Sequence, residues 1–315
     1  MLAPDGYSLS ILHLHDIEQS MVEEDIKKYI TDALSSMSPP PSTDEIKQLA
    51  KHAGKLFIYA ATAVRYIIPG DIPVDSGARL WTILETSSGL GNAPCSIKRY
   101  EELDTLYTGI LSAALNHHFL EEEEKRVSQC VLWTAVCVQE PMTASTLALL
   151  LGLGTEPQVL IALKPLQSVL YVMEGVGLVS TLHASFPEYI FDQLRAKSFY
   201  CDRAQHSEFL ADCCFNMMEE QLQFNICNLE SSFLFDKEIV DLEQQIKSCI
   251  SAALSYSCRY WGKHLQQGCA TEVLHQKLIN FLTNRLLFWM EVLNLEQCIA
   301  LGAEILHSVH NWIVS

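Results

Sequence analysis

Apolar positions recur at helical spacing along most of this chain, but between Thr143 and Gln193 that rhythm gives way to two short β-like runs. Two helix-like stretches, Thr143–Leu151 and Pro157–Leu166, lead into apolar runs Val169–Met173 and Leu178–Leu182, joined at Glu174-Gly175-Val176-Gly177. A hairpin turn needs positive φ, which glycine reaches without steric cost. Helix, helix and a two-stranded wing predict a winged-helix module, a variant of the helix-turn-helix. Directly after the wing comes Leu182-His183-Ala184-Ser185-Phe186-Pro187-Glu188-Tyr189-Ile190, which sets His183 where the second strand ends and the next helix begins. A polar ring at such a junction can face a nucleotide, a partner helix or water, so the functional reading turns on His183.

Upstream, Leu9–Leu14 alternates apolar and polar residues and predicts a lone short strand. A lone strand has nothing to pair with, which predicts that the chain starts inside a domain whose earlier strands precede Met1. Ser20 with Glu23 forms a capping box for a helix that carries Val22, Ile26, Tyr29, Ile30 and Ala33 on one face. Pro39-Pro40-Pro41 stops it, and Ser42 with Glu45 caps the next. Lys55–Ile67 is apolar on most sides and predicts a buried helix. Residues 69–77 and 86–97 read as loops around a short amphipathic helix bearing Leu80, Trp81, Ile83 and Leu84. Tyr100 to Leu111 repeats at helical spacing. Glu121–Glu124 reads as a helix start or a solvated face, and Val127–Val138 as a buried helix. After the wing, segments near 202–222, 236–266, 271–293 and 295–313 each carry a helical stripe, with no fixed internal repeat. The predicted fold is mainly α, with a small β-hairpin in the winged helix and then an α-helical hairpin stack.

Composition narrows the function. A net charge of −17, from 21 Lys+Arg against 38 Asp+Glu, repels phosphate backbones and anionic membrane surfaces, so neither nucleic acid nor membrane is expected as a partner. Cys130, Cys137, Cys213, Cys214, Cys227, Cys249, Cys258 and Cys298 fall in apolar helix-like runs, where they read as small buried hydrophobes of a reducing compartment. The 11 cysteines include no C-x-x-C pair. Met1–Ile17 lacks a basic n-region, no apolar run approaches the length of a membrane span, and the expected location is the cytoplasm.

Catalytic motifs are not found. Gly152-Leu153-Gly154 and Gly175-Val176-Gly177 lead into no Lys-Ser or Lys-Thr, so the phosphate-cradling G-x-x-x-x-G-K-[ST] is missing from this chain. G-x-S-x-G, H-E-x-x-H and the dinucleotide fingerprint are missing too. His117-His118, beside the glutamates, reads as a wet loop in preference to a metal site. His307 and His310 share a helix face without a carboxylate cluster, and Cys213-Cys214 diverge on a helix. The would-be recognition helix, Thr155–Leu166, holds Lys164 as its one cation, which is poor equipment for reading DNA.

Four stretches of this chain resemble the NACHT-type signal-transducing NTPases of filamentous fungi, the group that includes vegetative-incompatibility proteins and NOD-like receptors. Leu12–Ile17 followed by Val22–Tyr29 is similar to the end of the family's nucleotide-binding core. Gly54–Ile67 followed by Leu103–Tyr107 is similar to its helical lid. Leu182–Ile190 resembles the winged-helix motif F-x-H-x-S-F-Q-E-F. Phe224–Cys227 through Tyr256–Trp261 to Phe288–Leu293 resembles the helical segment that follows in basidiomycete members.

The resemblance implies three parts: residues 1–116 as the end of the core plus the lid, 117–200 as the winged helix, and 201–315 as an α-helical domain. In that family a switch ATPase of the STAND class holds ADP between core and winged helix, and exchange for ATP opens it for oligomerisation. The winged-helix histidine touches the β-phosphate, a role that falls by motif match on His183, where a charge-assisted hydrogen bond suits an imidazole N–H. Where the wider family has G-L-P, this chain has Lys55 and Phe57 at the leucine and proline positions, so no adenine contact is assigned. The P-loop and the Mg²⁺-holding acids are expected upstream of Met1. The chain is therefore expected to be no enzyme by itself, to hold no cofactor unless the core supplies ATP or ADP, and to engage protein partners or further copies of itself. A helical protein-binding scaffold without nucleotide is the alternative, and a DNA-binding regulator a weaker one.

Overall fold

A computed structural model describes residues 19–70, 73–87, 95–116, 120–173, 175–231 and 233–314. The strand expected at Leu9–Leu14, the side chain of Ser20 and the pair His117-His118 lie outside the described residues. The fold is mainly α, with one small three-stranded antiparallel sheet, and the chain divides into two compact units, Met1–Ile110 and Leu111–Ser315.

The first unit holds α1 (Gln19–Leu34), α2 (Thr43–Ala53), α3 (Phe57–Ile67), α4 (Ser76–Ser87) and most of α5 (Cys95–Leu115). Ile26, Ile30 and Leu34 repeat at helical spacing along α1 and are fully buried. The expected cap of α2 is present. The Glu45 amide donates to Ser42 Oγ at 3.3 Å, and the Ser42 amide donates to the Glu45 carboxylate at 2.6 Å. α3 buries residues on nearly every side, from Tyr59 to Ile67, as its apolar sequence predicts. α4 buries Leu80, Ile83 and Leu84 but leaves Trp81 60% exposed. Trp81 follows Leu80 directly, so the 100° helical step turns it off the buried face.

The second unit opens with α6 (Glu122–Cys137), whose start is closed by the Glu121 amide donating to the Glu124 carboxylate at 2.9 Å. Next come β1 (Met142–Thr143), α7 (Ala144–Leu150), α8 (Glu156–Leu163, extended by a 3-10 turn to Leu166), β2 (Leu170–Val172) and β3 (Leu178–Thr181). The order helix, strand, helix, helix, strand, strand, with sheet order β1-β3-β2, is that of a winged helix. β1 was not legible in the sequence: only two residues long, it pairs Met142 with Val179 and Thr143 with Leu178. Thr143 then caps α7 through its Oγ1, which accepts the Thr146 amide at 3.1 Å. The wing turns where expected, with Gly175 and Gly177 at φ of 79° and 72°.

Short helices α9 (Ser185–Ile190) and α10 (Gln193–Ala196) then lead to α11 (Arg203–Gln221), α12 (Leu242–Cys249), α13 (Ala252–Gln267), α14 (Glu272–Asn284), α15 (Leu286–Leu295) and α16 (Ile299–Val314). The stripe over 236–266 is thus two helices. Ile250 turns extended, at φ −103° and ψ 106°, and the Ser251 hydroxyl accepts the Leu254 amide to start α13 afresh. The expected helix 271–293 likewise breaks at Arg285, whose φ of −125° is not helical. Cys227 and Cys298 lie between helices, and Cys249 is exposed at the end of α12.

The core of this unit is aromatic. Phe215 of α11, Trp261 of α13, Phe281 of α14 and Trp289 of α15 meet with ring centroids 5.0–6.0 Å apart. Such pairs contribute about 0.5–1.5 kcal/mol each beyond the area they bury. The Trp289 indole N–H donates to the Cys258 carbonyl at 2.8 Å. Gly262 lets α16 approach α13: a Cβ there would lie 2.6 Å from Ile305 Cγ2.

Candidate functional site

His183 stands between β3 and α9, and the elements on both sides fix its backbone. The Leu182 amide donates to the Val169 carbonyl at 3.1 Å, continuing the wing by one step. Phe186, Tyr189 and Ile190 are fully buried and hold α9 to the core. The His183 side chain is exposed. Its Nδ1 accepts the Ser185 backbone amide at 3.1 Å and lies 2.8 Å from the Ser185 hydroxyl. An amide nitrogen can only donate, so Nδ1 is the acceptor and the neutral ring carries its proton on Nε2. The local bond thus orients the ring and presents an N–H donor on its far edge. A group so placed can donate one hydrogen bond to an anionic oxygen, worth roughly 1.5–3 kcal/mol.

Lys55 and Arg65 belong to the first unit. Lys55 is half-buried just before α3, and Arg65 is exposed on it. Phe57, at the family's proline position, is 46% exposed, with its ring 5.9 Å from that of Tyr29.

A buried polar seam, which no local pattern announced, joins the winged helix to the helices after it. Thr134 Oγ1 of α6 lies 3.0 Å from His206 Nε2 of α11. The Gln139 amide donates to the Tyr256 hydroxyl of α13 at 3.1 Å, and that hydroxyl lies 2.6 Å from His264 Nε2. The best-satisfied arrangement has the Tyr256 O–H donating to His264 Nε2. Glu140 accepts two bonds from Arg259, at 2.6 and 3.3 Å, and one from the Tyr260 hydroxyl at 2.9 Å. Burial lowers the pKa of His206 to about 4. Burial, with the nearby His206 charge second, lowers that of His264 to about 4 as well. Both rings are therefore neutral at physiological pH and act as fixed hydrogen-bonding wedges. Apart from Tyr256 and His264, which share α13, the partners lie more than 60 residues apart, too far for sequence spacing to reveal them.

On α8 and the wing several apolar side chains are exposed among polar ones such as Glu156 and Gln158. Leu160, Ile161, Tyr171, Met173 and Val176 are 42–68% exposed. His307 and His310 are exposed on α16, while Cys213 and Cys214 are both buried. Among the described residues no group of three or more His, Cys, Asp or Glu is placed to hold a metal ion, and no helix is long and apolar enough to cross a membrane. No protein-family model, curated protein or solved structure matches this chain.

Proposed function

We propose that this chain is the regulatory and interaction portion of a NACHT-type NTPase of the STAND class, of the kind that serves fungal non-self recognition or signalling in the cytoplasm. The observation that carries the reading is His183: it sits, exposed, at the strand-to-helix junction of a winged helix, its ring oriented by Ser185. In this reading the Nε2–H donates to the β-phosphate of an ADP held by a nucleotide-binding core, and the chain alone performs no catalysis. The seam through His206, Tyr256, His264 and Glu140 supports the mechanical half of the proposal. It ties winged helix and helical stack within one compact unit, so loss of the phosphate contact moves both together. The partners are proteins or further copies of the chain, bound without nucleic acid or membrane.

The test begins with the reading frame upstream of the Met1 codon, where a G-x-x-x-x-G-K-[ST] is expected. Expressed as the extended chain, the protein should purify with ADP. His183→Ala should weaken ADP retention roughly 10- to 100-fold, by the hydrogen bond it deletes. His183→Asn, which keeps an acceptor for the Ser185 amide, controls for folding and should show the same loss. An upstream frame without the motif, or retention unchanged in both variants, overturns the proposal. The present chain titrated with ADP should give no binding heat, and micromolar affinity would contradict the reading that this stretch holds no nucleotide by itself.

A second reading, a protein-binding helical scaffold without nucleotide, is favoured by the exposed apolar side chains of Leu160, Ile161 and Tyr171. Unchanged ADP retention in the His183 variants would move the weight to it.

A further inference from the structure

In the first unit, the turn between α1 and α2 and the start of α4 line an open cavity of about 450 Å³. That volume falls within the range of about 300–1,000 Å³ common to small-molecule sites. One wall is Pro39-Pro40-Pro41. Proline nitrogens carry no hydrogen, so this wall offers apolar rings and carbonyl acceptors but no amide donor. Met37, Ile68, Val74 and Leu80 add apolar surface.

Two carboxylates line the same cavity from separate elements, Glu45 on α2 and Asp75 just before α4. Each uses one oxygen to hold a helix start. Glu45 Oε2 accepts the Ser42 amide at 2.6 Å and the Ser42 hydroxyl at 2.7 Å, and Asp75 Oδ1 accepts the Ala78 amide at 2.9 Å. That leaves Glu45 Oε1 and Asp75 Oδ2 to a ligand. Among the described residues no Lys, Arg or His lines the cavity.

We propose that this cavity binds a small organic cation, an alkylammonium whose apolar body lies on the prolines and whose N–H groups donate to Glu45 and Asp75. An ammonium has donors and no acceptor, the complement of a lining with two carboxylates and a wall without amide donors. An anion would meet two like charges with no cation to offset them. A neutral alcohol would gain burial but no charge-assisted bond. The site uses no residue of the second unit, so it holds whether or not His183 meets a nucleotide.

The experiment titrates hexylammonium into the full chain, isotope-labelled at its methyl groups, and follows the NMR signals of Met37, Ile68, Val74 and Leu80. These should shift together and saturate, with a Kd on the order of millimolar for so small a ligand. Glu45→Gln and Asp75→Asn should each weaken binding about 3- to 5-fold, the share of a solvent-exposed ion pair. Gln and Asn serve the two helix starts as well as the acids do, so the fold is kept while the charge is removed. Hexanol should bind more weakly than hexylammonium. Glu122→Gln, at an exposed position of the second unit, should change nothing. The proposal is overturned by the lack of a saturable shift at these methyls, by hexanol binding as tightly as the cation, or by affinity unchanged in both carboxylate variants. An equal loss in Glu122→Gln would overturn it too, since that marks diffuse attraction to an acidic chain. So would tighter binding of a blocked tripeptide of glycine, lysine and glycine, which would assign the cavity to a partner's lysine.

Discussion

Lowering the pH from 6.5 to 5 should cost the second unit about 3 kcal/mol of stability through two rings alone. His206 and His264 have an unfolded value near 6.5 and folded values of about 4. In the folded state burial excludes the proton that the unfolded chain takes up, so the unfolded form binds more protons throughout that interval. The stability these rings permit is complete above pH 6.5, falls as pH drops below it, and levels off below about 4. Each unit of displacement is worth about 1.4 kcal/mol, so each ring costs about 1.5 kcal/mol by pH 5 and about 3 in full. Against a typical stability of about 5–15 kcal/mol this is a large share. Urea unfolding followed by the fluorescence of the buried Trp261 and Trp289 should show the midpoint falling by about 1 M between pH 6.5 and 5. The doubly substituted chain His206→Gln, His264→Gln should lose most of that fall even though it starts less stable. A midpoint equal at the two pH values, or an undiminished fall in the double variant, would refute the assignment of buried neutral rings.

Two further outcomes follow from the packing of α13. Gly262→Ala should destabilise the unit by roughly 1–3 kcal/mol, because its Cβ would lie 2.6 Å from the stiff, branched Ile305. In an Ile305→Ala background the same change should be neutral or stabilise by up to about 1 kcal/mol, and an equal cost in both backgrounds would exclude the proposed clash. Glu140→Gln should cost about 1 kcal/mol by leaving Arg259 without its counter-charge, discounted for the partial exposure of the pair. That cost should shrink in molar salt; a salt-independent loss would point to packing instead of charge.

Legibility along this chain followed the range of the interaction. The capping box at Ser42 and Glu45, the glycine turn of the wing and the α3 core helix were readable, because each is written within a few residues. Register errors came where a local signal competed with a periodic one. The stripe from Ile246 to Leu265 runs through Ile250 and Ser251, and an eye following the stripe passes over the serine that caps α13. β1 escaped notice because two residues cannot establish an alternation, and only the β3 edge beside it makes Met142 and Thr143 a strand. His183 was marked by its place between wing and helix, but its tautomer depended on the Ser185 amide reaching back to it.

Thus the order of residues alone dictated a mainly helical chain with one β-hairpin, since helical period and glycine turns are properties of neighbours. The tertiary structure alone decided the seam that seats His206 against Thr134 and Tyr256 against the Gln139 amide. Those contacts join positions 72 and 117 residues apart. A polar atom withdrawn from water must find its partner wherever the packed chain happens to place one.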